Sequence, residues 1–223
     1  RTSKKWRVIK NTPQEIETLL SQHNTLSTNF LNGFSDFIPN TIVIWEGLYK
    51  FEKYLSKEKQ KDALKKELSE NTSDYLSLVF HRFLDQTEKR INIRINNTQL
   101  TPFDPFPVGV SDIRKLPSKQ TLFNNERIRL EGYILPVRSL DESKGQHSEW
   151  TTRRYNLLDL EGIYIYRSDR IILFGGWNGI IRKSPNLQLA RLKVDVGNKI
   201  DHLLHLNVAK SQIKIPYEVK SGF

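Results

Sequence analysis

The chain contains neither cysteine nor methionine among its 223 residues. Without thiols there is no disulfide framework, no thiolate metal site and no cysteine redox chemistry, so a cytoplasmic home is the default reading. No apolar run approaches the roughly 18 residues that a membrane span needs. No charged-then-apolar leader opens the sequence either, which begins at Arg1 and reads as a piece excised from a longer protein. Acidic charge is also in deficit: 25 Asp and Glu stand against 35 Lys and Arg, a net charge of +10. That excess favours polyanionic partners at moderate salt without naming one.

What is present suits a soluble domain or two small ones with a real hydrophobic core. Trp6 to Ile9 alternates as a short strand, and Thr12 followed by Pro13 caps a helix carrying Ile16, Leu19 and Leu20. The β-branched run from Thr41 to Trp45 predicts a strand ended by Gly47. A long helical region follows over residues 56–86, with Leu64, Leu68, Tyr75, Val79 and Phe83 on one stripe. It is expected to break at Asn71 to Asp74, with Thr72 or Ser73 capping its buried second half.

Arg90 to Asn96 and Gln99 to Phe103 form a hairpin signature around Asn96 and Asn97. The three prolines between Thr101 and Pro107 exclude regular structure and make a stiff connector. Arg127 to Val137 predicts a strand, and the polar stretch from Ser139 to Glu149 a mobile loop. A second hairpin pairs residues 162–166 with 170–174, and Leu189 to Val196 adds a strand. Lys199 to Leu206 reads as a short helix or turn, and Lys210 to Ile215 as a final strand. The helical region is expected to pack on a sheet that includes both hairpins. Strands and helices mix without regular βαβ alternation, so the fold class is α+β.

Few side-chain constellations carry chemistry. The basic cluster from Lys50 to Lys66 is interleaved with Glu52, Glu58, Asp62 and Glu67 and reads as a solvated helix face. His202 and His205 lack a third metal ligand, so no metal site is expected. Gly175 to Gly179 lacks the Gly-Lys-Ser/Thr ending of a phosphate loop and reads as a turn closing the second hairpin. His81 has no nucleophile or orienting carboxylate beside it in sequence and reads as a packed helix histidine. The four tryptophans are scattered, unlike a stacking platform for single strands. Arg153 and Arg154, with Tyr155, form the best anion patch for nucleic acid.

Three segments carry a family resemblance. Asn40 to Leu48 resembles the last strand of the GHKL nucleotide-binding domain of MutL-type, gyrase B and MORC-like ATPases, with Asn40 where those proteins usually carry glycine. Gly162 to Ile172 is similar to a hairpin of their transducer domain that displays an arginine. Leu206 to Ile215 resembles the MutL segment whose lysine reaches into the neighbouring ATP site. Residues 75–106, with their Leu-Val-Phe-His-Arg-Phe-Leu and Pro-Phe-Asp-Pro-Phe runs, look like prokaryotic Hsp90-like and MORC-like proteins.

The resemblance implies that residues 1–50 are the C-terminal tail of a GHKL ATP-binding domain and 51–223 a mixed-sheet transducer with a left-handed βαβ element. It implies that Lys210 contacts the γ-phosphate, that ATP and Mg are cofactors of the full-length protein, and that ATP promotes a homodimer. The family's Glu and Asn helix, Asp-x-Gly-x-Gly box and glycine-rich lid do not occur here, so this chain alone is expected to bind no cofactor and to lack hydrolytic activity. The alternative reading is a basic module that binds DNA or another polyanion with no ATPase link.

Overall fold

A computed structural model describes Thr12, Gln14, Thr18 and residues 56–85, 91–96, 98–107, 109–123, 126–144, 148–179, 181–182 and 184–197. The chain divides into two compact units, Arg1–Leu48 and Tyr49–Phe223. In the first unit Gln14 and Thr18 are helical, and the Thr18 hydroxyl donates to the Gln14 carbonyl at 2.8 Å. The expected strands at Trp6 to Ile9, Thr41 to Trp45 and Lys210 to Ile215 lie outside the described residues, as does the segment Lys199 to Leu206.

The second unit is a mixed α+β structure. Helix α1 (Lys57–Lys66) buries no residue and runs into a π-helical turn at Glu67–Thr72, then α2 (Ser73–Val79) and α3 (His81–Asp85). The solvated reading of the basic cluster therefore holds for α1. The expected break at Asn71 to Asp74 does not occur. Thr72 and Ser73 are helical and Thr72 caps nothing, while the Asn71 amide donates to the Glu67 carboxylate at 2.7 Å. Occupied in that way, Asn71 does not compete for the backbone, and the wider π-turn carries the helix through. The interruption falls instead at Phe80, whose φ of −108° and ψ of 16° separate α2 from α3.

Strands β1 (Arg94–Ile95) and β2 (Thr98–Gln99) form the first hairpin, with Asn96 at φ 48° in the turn. This hairpin is a separate two-stranded sheet, not part of the main one as expected. The main sheet holds β3 (Arg114–Lys115), β4 (Lys119–Phe123), β5 (Glu126–Ile134), β6 (Gly162–Arg167), β7 (Arg170–Leu173) and β8 (Ala190–Val196). Its order is β3-β5-β8-β6-β7, with β4 pairing β5 beyond β3. Every pairing is antiparallel except β6 with β8, which is parallel.

Register sorts the side chains between two faces, because residues two apart on a strand share a face. One face gathers Ile128, Leu130, Ile163, Ile165 and Val194 with Trp177 into a buried apolar cluster. The other carries Tyr133, Tyr164, Tyr166 and Ile171, which pack with Leu78 of α2 and Phe106 of the proline-rich connector. The Phe106 ring sits 4.8 Å from Tyr133 and 5.0 Å from Tyr164, filling the space over the tyrosines. The connector has no regular structure, as its prolines require. A third cluster joins Leu135, Trp150 and Leu157.

The stretch from Ser139 was expected to be a mobile loop, but it opens with helix α4 (Ser139–Glu142), whose Ser139 is buried. Trp150 holds it there. Its indole N–H donates to Glu142 at 2.6 Å, and Arg138 bridges Glu142 to Asp112. A capping box between Asn156 and Asp159 starts α5 (Leu157–Leu160), which leads into β6.

The turn between β6 and β7 has Ser168 and Asp169 at φ 46° and 65°, the two left-handed positions of a tight hairpin turn. Gly175 to Gly179 therefore does not close this hairpin. It returns beside the start of β6 instead, where Ile163 N–H donates to Gly176 O at 3.0 Å and Gly176 N–H to Glu161 O at 2.7 Å. Gly162 lies between these bonds at φ 107°, and a Cβ there would strike the Gly176 backbone. Gly176 also has positive φ, yet a Cβ on it meets nothing. Gly162→Ala should therefore cost roughly 3 kcal/mol or more and Gly176→Ala only about 1–2 kcal/mol. Equal losses in urea denaturation of the two variants would contradict this close approach.

Candidate functional site

The polar residues of the second unit converge on the tyrosine-bearing face of the sheet, beneath α2 and α3. His81, the first residue of α3, is 5% exposed. Its Nδ1 lies 2.8 Å from the Leu78 carbonyl. A carbonyl only accepts, so Nδ1 carries the proton and Nε2 is left as acceptor. Nε2 faces the Tyr166 hydroxyl at 3.4 Å and Asp104 Oδ1 at 3.5 Å. Burial pushes the imidazole below its ordinary value, against the pull of Asp104 and the Leu78 carbonyl. Burial likewise raises the Tyr166 phenol, and lifts Tyr164 to about 12. The Tyr164 hydroxyl donates to the Leu160 carbonyl at 2.6 Å.

Arg82 follows directly. Its guanidinium lies over the Tyr166 ring at 3.7 Å and reaches Asp195 of β8 at 2.7 Å and Asp169 of the β6–β7 turn at 3.0 Å. Burial opposes the charge, but the hydrogen bond and field of Asp195 outweigh it and raise the guanidinium further. Lys193 is 3.9 Å from Asp195 and 2.8 Å from Glu131. Glu131 also accepts from Arg129 at 2.7 Å and from Lys115 at 3.2 Å, and the Tyr133 hydroxyl donates at 3.2 Å. Burial of Glu131 favours the neutral acid, yet the hydrogen bonds from Lys193 and Lys115 prevail and hold its carboxyl down at about 2. A continuous ion-pair chain thus crosses the sheet from the β6–β7 turn to β3.

Arg191 completes the seam. It is 1% exposed, and its Nη1 donates to the Pro105 carbonyl and its Nη2 to the Trp150 carbonyl at 3.1 Å. Burial lowers its pKa, but a guanidinium starts so high that it keeps its charge. The bonds fasten the connector and the Trp150 turn to β8.

This arrangement can hold charge and transmit displacement. Among the described residues no group of three His, Asp or Glu is placed to bind a metal. The two arginines expected to bind nucleic acid lie before α5, and both are exposed. The main-chain N–H of Arg154 donates to Asp74 of α2 at 2.8 Å, and its side chain reaches the Asn71 carbonyl at 3.5 Å and the Tyr155 ring at 5.1 Å. Arg154 therefore also brackets the turn to the helix. Lys210, His202 and His205 lie outside the described residues. Comparison with family models, curated proteins and solved structures gave no match. Among the described residues, no helix is long and apolar enough to cross a membrane.

The seam residues Arg82, Asp104, Glu131, Tyr166, Arg191, Lys193 and Asp195 were not singled out from sequence. Their signal was available as parity: Arg129, Glu131 and Tyr133 alternate on β5, and Arg191, Lys193 and Asp195 on β8.

The pH response of stability tests this geometry. His81 titrates below its unfolded value of 6.5, so the unfolded chain takes up a proton that the folded chain resists, and stability falls as pH drops below that value. Glu131 titrates below its unfolded value of 4.5, so its contribution is complete above that pH and is lost as pH falls towards about 2. Each group contributes a slope of at most about 1.4 kcal/mol per pH unit. His81→Gln should flatten the first limb, and Glu131→Gln should remove the second and cost about 3 kcal/mol at neutral pH. Urea unfolding at stepped pH measures both, and an unaltered limb in either variant contradicts the assignment.

Proposed function

We propose that the chain is the coupling segment of a GHKL-type ATPase. In this reading residues 51–223 form the transducer, with a left-handed βαβ element, and residues 1–50 the tail of the ATP-binding domain. ATP bound upstream engages Lys210 at its γ-phosphate, and the transducer relays binding and hydrolysis into conformational change and dimerisation. A lysine suits that role because its ammonium is a compact charge on a flexible stem, able to follow a phosphate as charge shifts in phosphoryl transfer.

The observation that supports the reading is the seam. A relay must move as one body, and here α3, the β6–β7 turn, β8, β5 and β3 are tied by one ion-pair chain, while Arg191 ties in the connector. A rigid element with discrete contacts is what carries coupling between sites. The mixed α+β sheet agrees with the expected fold class at the level of architecture.

In the intact ATPase, Lys210→Ala should leave thermal unfolding nearly unchanged and lower ATP turnover about ten- to a thousand-fold, the effect of removing an interaction of about 1.4–4 kcal/mol from the transition state. The 223-residue chain alone should take up no Mg-ATP at micromolar concentration in calorimetric titration. Full turnover in the lysine variant, or micromolar binding by the chain alone, rejects the reading.

A further inference from the structure

We propose that, independently of any ATPase role, the open face of β3, β4 and β5 binds the phosphate backbone of duplex nucleic acid through Lys115, Arg127 and Arg129. Charge is distributed unevenly along the ion-pair chain. At the α3 end, one cation, Arg82, is shared by two carboxylates, Asp169 and Asp195. At the β5 end the ratio reverses: Glu131 serves both Lys115 and Arg129, and shares Lys193 with Asp195. One carboxylate cannot neutralise both Lys115 and Arg129, and Arg127 stands beside them on β5, so that end carries a surplus of positive charge.

The surplus faces solvent. The Glu131 side chain is 2% exposed, whereas those of Lys115 and Arg129 are 50% and 51% exposed. The buried carboxylate thus holds two cationic heads at the surface in fixed positions. Fixing them beforehand lowers the ordering cost of binding an anion. Arg127 is exposed and two residues from Arg129 on β5, so it projects from the same face. On β4, Gln120 pairs with Arg129 and Leu122 with Arg127, which puts both on this face as well. Two guanidiniums and an ammonium on an open sheet match phosphate oxygens, which guanidinium groups take with two parallel hydrogen bonds.

The other side chains on the face select the partner. Single strands need exposed aromatic rings to stack their bases, and the described aromatic here, Tyr133, is 2% exposed. A lipid surface calls for apolar side chains that insert, and the face offers only Leu122 among its described residues. A duplex presents phosphates with its bases already stacked, and needs neither. The net charge of +10 adds a long-range field that steers such a polyanion. Recognition of this kind reads backbone and not sequence.

The test is fluorescence anisotropy of the 223-residue chain with a labelled duplex DNA of mixed sequence, titrated across salt. Binding should be insensitive to sequence and weaken as salt rises. Arg127→Ala and Arg129→Ala should each weaken binding several-fold and lower the slope of log affinity against log salt by about 0.9 for each phosphate no longer neutralised. Gln120→Glu, which adds a carboxylate beside Arg129 and removes no member of the Glu131 network, should weaken it as well. Arg153→Ala with Arg154→Ala should leave affinity and slope unchanged. The proposal is overturned if the duplex fails to bind at low salt, if the β5 and Gln120 variants bind like the parent, or if the Arg153 and Arg154 pair abolishes binding instead. Tighter binding to the matching single strand, or to vesicles of anionic lipid, overturns it too.

Discussion

The buried guanidinium of Arg191 is the constraint from which the rest of the second unit can be derived. A buried cation costs several kcal/mol unless its donors are met, and here main-chain carbonyls of Pro105 and Trp150 meet two of them. Both carbonyls belong to irregular segments, so satisfying Arg191 fixes two loops that no ladder of strand hydrogen bonds could fix. From Pro105 the order passes to Phe106, whose ring fills the space among the tyrosines, and to Asp104, which faces His81. From Trp150 it passes to Glu142, Arg138 and Asp112, which settle α4. The connector then receives α2 through the hydrogen bond from Phe103 N–H to the Ser77 carbonyl.

Cross-strand pairing is what lets so much charge gather on one face of the sheet. The register of β5 with β8 sets Arg129 opposite Asp195, Glu131 opposite Lys193 and Tyr133 opposite Arg191. Opposite charges directly across a ladder stabilise it, whereas like charges there destabilise it. A slip of β5 by one residue would send Glu131 into the apolar cluster of Ile128, Leu130 and Val194, and a slip of β8 would send Arg191 there, in either case without a partner for the charge. The ionic face therefore fixes the register as firmly as the apolar face does.

Which parts of this were legible follows from the same facts. The second hairpin, β5, β8, the proline connector and the α+β class were readable, because alternation, turn residues and proline act locally. Strand parity gathers the seam residues of β5 and β8 on one face but does not show that they are buried. Charged residues alternate there with Ile, Leu and Val, yet Arg191 is 1% exposed beneath the Pro105 and Trp150 segments, and Glu131 1% exposed among Lys115, Arg129 and Lys193. Those partners come from segments far apart in the chain, which no local pattern records. The helix break failed for a related reason. Asn71 reads as a breaker until its amide finds Glu67. The role of Lys210, by contrast, rests on resemblance alone, since its segment lies outside the described residues.

The charge gradient along the seam links its two proposed roles. An ion-pair chain with paired ends would be only a structural tie, and its net worth could be matched by apolar side chains of similar volume. This chain is unbalanced, with basic excess at the β5 edge. The imbalance is useful only if something outside the chain supplies the missing counter-charge. A polyanion at the β5 edge would draw on Lys115 and Arg129, loosen their hold on Glu131, and leave that carboxylate more dependent on Lys193. Lys193 also faces Asp195, the partner of Arg82 in α3. The same ion pairs thus join the β5 edge, through three adjacent pairs, to the helix beside the connector.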